Sequence, residues 1–198
     1  MNTENSRIGE VIEATTASFT AQSYYLWDLP PLGSLVKTAD GSLELYGVVC
    51  QANTSGIEPG RKAIARGKDE ISEEAIFQSN PQLAHLLKSE FSALMVGFKE
   101  GSTMRRYLPP RPARIHSFVH QCSKGEVMAF SQKLDFLNII LKSKAEIPPE
   151  ELTAAVLRHL TDAQPNPASF LIDAGRELAR LLSADYSLLK AILERIRA

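Results

Sequence analysis

Apolar residues change their spacing once along this chain, and the change divides it. Ahead of about residue 105 they fall in short runs with partial alternation. Residues 8–13 (Ile-Gly-Glu-Val-Ile-Glu) and 18–26 are rich in β-branched and aromatic side chains and read as strands. Residues 32–37 and 43–51 follow, separated by Asp40-Gly41, a strong turn signal, so they read as a hairpin. Residues 53–68 are polar and glycine-bearing, as in a surface excursion. Residues 69–77 suit a short helix, and Asn80-Pro81 places a capping side chain before a proline at a first helical position, predicting another turn or two over 81–87. Residues 91–98 read as a strand, and 99–102 turn into a last short one.

Behind residue 122 the spacing is helical. Ser123-Lys124-Gly125-Glu126 matches a capping box, and Val127, Phe130, Leu134, Leu137, Ile140 and Leu141 extend a stripe to about residue 142. Pro148-Pro149-Glu150-Glu151 starts a second helix, with Leu152, Val156, Leu157 and Leu160 on its inner face. Asn166-Pro167 opens a third through Phe170, Leu171, Ala174, Leu178, Leu181 and Leu182. Ser183 or Asp185 opens a fourth through Leu188, Leu189, Ile192, Leu193 and Ile196. Four amphipathic helices with short loops suffice for a small bundle.

Composition sharpens the division. Nine of the eleven glycines lie in residues 1–108, which suits turns between the strands of a small barrel. Net charge is -3 over 1–108 and +2 over 109–198. The predicted class is therefore α+β, an N-terminal small β-barrel over 1–108 and a C-terminal α-helical bundle over 123–198. A Pro/Arg-rich linker over 109–122 would join them. The joint, residues 104–118, carries Pro109, Pro110 and Pro112, which lack donors and push their predecessors out of helix. Residues 109–112 are expected to be extended and to lie outside both cores.

The order of three pieces in the first part resembles a known family. Ile8-Gly9-Glu10-Val11-Ile12-Glu13-Ala14-Thr15 with Phe19, then Gly33-Ser34-Leu35-Val36, then Leu45-Tyr46-Gly47-Val48-Val49, is similar to the HAS barrel, the N-terminal β-barrel shared by HerA-type DNA-translocating ATPases and rotary ATP synthase subunits. The resemblance covers about residues 6–110, including a Pro-Pro-x-Pro exit. It implies a barrel that packs beside others in rings, and hence self-association or docking onto a larger complex. In those families an ATPase domain follows, and here the chain departs from them.

A phosphate loop needs glycine amides around the phosphates and a lysine followed by Ser or Thr. Gly56-Ile57-Glu58-Pro59-Gly60-Arg61-Lys62 is too short, loses an amide at Pro59 and has Ala63 in place of a hydroxyl. Glu73-Glu74 and Glu150-Glu151 fall in first helical turns, where they complement the helix dipole rather than form an acid–base pair. His116, His120 and Cys122 would share a face only in a helix, and they are too few for a tight zinc site. Cys122 as a nucleophile lacks a visible base. The expectation is a protein that is not an enzyme and has no cofactor or metal.

The candidate binding surface is basic. Arg61, Lys62, Arg66 and Lys68 decorate the excursion, and Arg105, Arg106, Tyr107, Arg111 and Arg114 the joint, with no acidic residue between Gly101 and Gly125. Such residues can track phosphates and stack a base, so a nucleic-acid-binding accessory protein is the second reading. Against it, the net charge of the chain is only -1, and the same arginines could pair internally. Two scattered cysteines, a polar start and no apolar run of membrane-spanning length point to the cytoplasm and to no membrane association. The primary reading is a non-catalytic interaction or assembly module with a protein partner or a second copy of itself.

Overall fold

The computed structural model describes residues 7–58, 60 and 62–196. The elements are β1 (Arg7–Ala14), β2 (Ser18–Ser23), β3 (Leu35–Ala39), β4 (Glu44–Gly56), α1 (Glu73–Ser79), a 3-10 turn (Pro81–His85), β5 (Leu87–Glu100), β6 (Thr103–Arg105) and β7 (Phe118–Gln121). Then come α2 (Lys124–Phe130), α3 (Leu137–Leu141), α4 (Pro149–Asp162), α5 (Pro167–Leu181) and α6 (Tyr186–Ile196). Six strands close in the order β1, β7, β3, β4, β5, β2, every neighbouring pair antiparallel, and β6 extends the far end of β5. The fold is α+β, a closed six-stranded barrel followed by helices.

Alternation explains the barrel. Val11, Phe19, Ala21, Val36, Leu45, Val49, Phe91, Ala93, Met95 and Val119 form one buried cluster, as the inward-facing residues of successive strands must. Their neighbours Leu35, Tyr46, Val48, Leu94 and Val96 belong to a second cluster, together with the inner faces of the helices. Covered on both sides, β4 and β5 carry unbroken apolar runs instead of alternation. The predicted Asp40-Gly41 hairpin forms with Ala39 opposite Glu44, and Gly41 takes φ 101°, open only to glycine at low cost.

The segment 109–122, read as a linker, contains β7, which fills the gap between β1 and β3 and closes the barrel. The prolines therefore do not mark an exit from the barrel; they lead across its end to its last strand. The strand escapes a periodicity reading because it has four residues and one fully buried side chain, Val119. Nor does the whole stretch lie outside the cores: Pro109 and Ala113 are buried, while Pro110, Arg111 and Pro112 are exposed.

Two further readings are corrected. The helix expected from 123 to about 142 breaks into α2 and α3. Phe136 is fully buried, yet nine residues beyond Val127 it would lie on the opposite face of a straight helix; the chain instead turns and folds Phe136 back against Phe130, ring centroids 5.0 Å apart. The excursion expected from residue 53 begins only after Gly56, because Asn53–Gly56 stays paired with Leu87–Glu90.

The helices are not a free-standing bundle. Glu126, the N3 residue of the capping box on α2, also pairs with Lys37 of β3. Phe130 stacks on Tyr46 of β4 at 5.3 Å, and α4 runs so close to Gly33 (φ 83°) that a side chain there would collide with the backbone of Ala155. One buried cluster thus runs from the outer face of β3–β5 through α2–α6.

Candidate interaction surface

The predicted basic residues fall into two sets at opposite ends of β4. That strand has 13 residues, roughly 40 Å of chain at about 3.3 Å each. At its start lie the arginines of the joint, and each is occupied. Arg106 donates from Nε to the carbonyl of Phe130 (2.7 Å) and from Nη2 to that of Ala129 (3.0 Å), satisfying the end of α2. Arg111 Nε donates to Asp40 Oδ2 at 3.0 Å and its Nη2 to Ser42 Oγ at 2.8 Å. Arg114 lays its guanidinium where Gly41 leaves space, and its amide donates to the Ala39 carbonyl at 3.2 Å. Arg105 donates to the Tyr107 hydroxyl (3.1 Å) and pairs with Glu100 at 3.7 Å, while the Tyr107 ring meets Phe98 edge-on.

At the other end of β4, Lys62, Arg66 and Lys68 are exposed on the excursion and enter no ion pair among the described residues. Lys62 and Arg66 border a cleft of about 380 Å³ between residues 56–66 and 76–87. Arg61 lies outside the described residues.

The joint's arginines are held by the turn at Asp40. Asp40 Oδ1 accepts from the amides of Ser42 and Leu43, both at 2.8 Å. Burial pushes the Asp40 carboxyl up, but those amides, the Ser42 hydroxyl and the Arg111 guanidinium outweigh it and hold the group below its ordinary range.

The three side chains weighed as metal ligands sit in different settings. His116 sits in a turn at φ 68° with Nδ1 against Glu10, His120 lies on β7, and Cys122 is buried beyond the strand. A strand replaces the helix that would have put them on one face, and the described residues hold no group of three His, Cys, Asp or Glu able to share a metal. Burial pushes the thiols of Cys50 and Cys122 up, and nearby Glu126 adds to the effect at Cys122, so both stay protonated at neutral pH.

The most exposed aromatic surface was missed by the sequence reading, which ran a strand through residue 26. β2 ends at Ser23, and Tyr24-Tyr25-Leu26-Trp27 forms a loop with Tyr25 70% and Trp27 57% exposed. The loop is firmly held. Ser23 Oγ donates to the Asp28 carbonyl at 2.6 Å, the Trp27 amide to Ser89 Oγ at 2.9 Å, and the Leu29 amide to the Trp27 carbonyl at 3.0 Å. These bonds keep Trp27 at φ 66°, a conformation costly for a bulky side chain. The Trp27 ring meets Phe77 of α1 edge-on, centroids 5.0 Å apart. The available signal was the failure of alternation across three aromatics just before Asp28-Leu29-Pro30-Pro31.

Among the described residues no helix is long and apolar enough to cross a membrane. Comparison of the chain with protein-family models and with curated proteins finds no match.

Proposed function

We propose that this chain is a non-catalytic interaction or assembly module built on a HAS-like barrel, which self-associates or docks onto a larger complex through its aromatic loop. The observation that carries this is the loop itself. Large aromatic side chains are the residues that most often anchor protein interfaces, and here they are exposed on a backbone held in a strained conformation by three hydrogen bonds. A surface paid for in strain and left open to water fits a partner better than solvent. The closed six-stranded barrel and the order of its glycine-bearing strands support the family part of the reading.

Among the described residues, a nucleic-acid-binding accessory role draws support only from Lys62, Arg66 and Lys68, since the arginines of the joint are engaged within the molecule. Multi-angle light scattering of the purified chain, with affinity capture from its native source, tests the proposal. An oligomer or a stoichiometric partner lost in the Tyr25→Ser variant is expected. A monomer that captures nothing, or an assembly indifferent to Tyr25→Ser and Tyr24→Ser, overturns it.

A further inference from the structure

The excursion between β4 and β5 builds an apolar cleft. Ile57, Ile64, Ile76, Phe77, Leu83 and Leu86 line it, together with Lys62 and Arg66. Three properties specify what would fill it. The interior is apolar, so a small hydrophilic anion would lose its hydration there without replacement. The border carries cations that pair with no carboxylate among the described residues, although Glu58 and His85 also face the cleft. The volume, about 380 Å³, lies within the range of small-molecule sites.

We infer that this cleft binds a free single-chain amphiphile with a carboxylate head, its alkyl chain between Ile64 and Phe77 and its carboxylate against Lys62 and Arg66. This goes beyond the assembly reading and is tested apart from it, because neither Tyr24 nor Tyr25, the residues substituted there, lines the cleft. The site for a fatty-acyl chain must be apolar, and most of the lining of this cleft is. Ile57, Ile64 and Leu86 are 49%, 72% and 50% exposed, so apolar area at its mouth is also available for the chain to cover.

The molecule supplies its own reporter. Trp27 is the only tryptophan, and its ring touches Phe77. Titration calorimetry of the full chain with octanoate, decanoate and decyltrimethylammonium, all as monomers in solution, with Trp27 emission recorded in parallel, tests the inference. Saturable one-to-one binding of decanoate is expected, tighter than octanoate by about fourfold per added methylene. The exposed double substitution Lys62→Ala/Arg66→Ala is expected to weaken decanoate at least fivefold without weakening the cationic analogue. Absence of saturable decanoate binding, equal affinity for the cation, or full affinity in the double variant overturns the inference. So does binding to phosphatidylglycerol vesicles without binding of monomeric decanoate, which would mark a membrane-facing surface instead. Loss of assembly in Tyr25→Ser with decanoate binding intact separates the two proposals.

Discussion

Asp40 shows how one side chain fixes the end of a barrel. Its carboxylate is nearly inaccessible and accepts from the amides of Ser42 and Leu43, from the Ser42 hydroxyl and from Arg111. Asp40→Ala strands two amides beside the buried Leu43, and urea denaturation is expected to show a loss of about 2–3 kcal/mol. Arg111→Ala, which removes only a largely exposed partner, is expected to cost under about 1 kcal/mol. Because the carboxyl titrates lower in the folded chain than in the unfolded one, its contribution is complete above about pH 4 and is lost as pH falls through the folded-state value. His159 acts in a different window. Burial holds its imidazole below the ordinary value against the pull of Asp162, and its Nε2 has no hydrogen-bond partner within the protein. The unfolded chain therefore takes up the proton first, so stability is full above about pH 6.5 and declines below it. His120, lowered by burial and then by the charges of Lys37 and Arg7, works in the same direction. Urea midpoints measured between pH 5 and 7 are expected to fall with pH in the parent chain and to fall less in His159→Gln. The turn at Asp40-Gly41 was legible because its two residue types are needed locally. That Arg111, 71 positions away, would complete it was not, since nothing in local pattern encodes a contact of that range.

At the scale of elements, α2 concentrates what the sequence shows and what it hides. Its start was legible: Ser123 and Glu126 form the capping box in both directions. Its end was not, because the group that satisfies its last carbonyls, Arg106, lies 24 residues before Phe130 and precedes β7. Ser123→Ala is expected to lower stability by about 1 kcal/mol, from the lost cap. Arg106→Ala removes two charge-assisted bonds and the contact of its guanidinium with the Phe130 ring, and an expected loss of about 2 kcal/mol can be read from the urea midpoint. The same variant separates two roles that the sequence left open. A phosphate contact would appear as a changed salt dependence of nucleic-acid retention with unchanged stability; a clasp on α2 appears as lost stability. The strand β7 was hidden for a related reason. Its pattern is too short to register, and its identity is set by the gap between β1 and β3 that it fills.

For the whole molecule, the glycine and charge division suggested two domains, and the strand-rich and helix-rich halves do exist. What composition cannot reveal is that the apolar runs of β4 and β5 have two clients. Val49 and Met95 face the barrel interior, while Tyr46, Val48 and Val96 face the helices. The barrel wall is thereby half of the helical core, and the helices cover strands that would otherwise expose a large apolar face. Neither half buries its own apolar surface without the other, so the chain is expected to unfold as one cooperative unit. Trp27 lies in the loop after β2, outside α2–α6, which carry most of the helix and so dominate ellipticity at 222 nm, and the two signals therefore report on different elements. Their urea transitions are expected to coincide, and a fragment ending at residue 108, which lacks β7 and all of α2–α6, is expected to give no cooperative transition. Well-separated midpoints for the two signals, or a fragment that unfolds cooperatively, would show instead that the barrel holds itself together without its last strand and its helical cover.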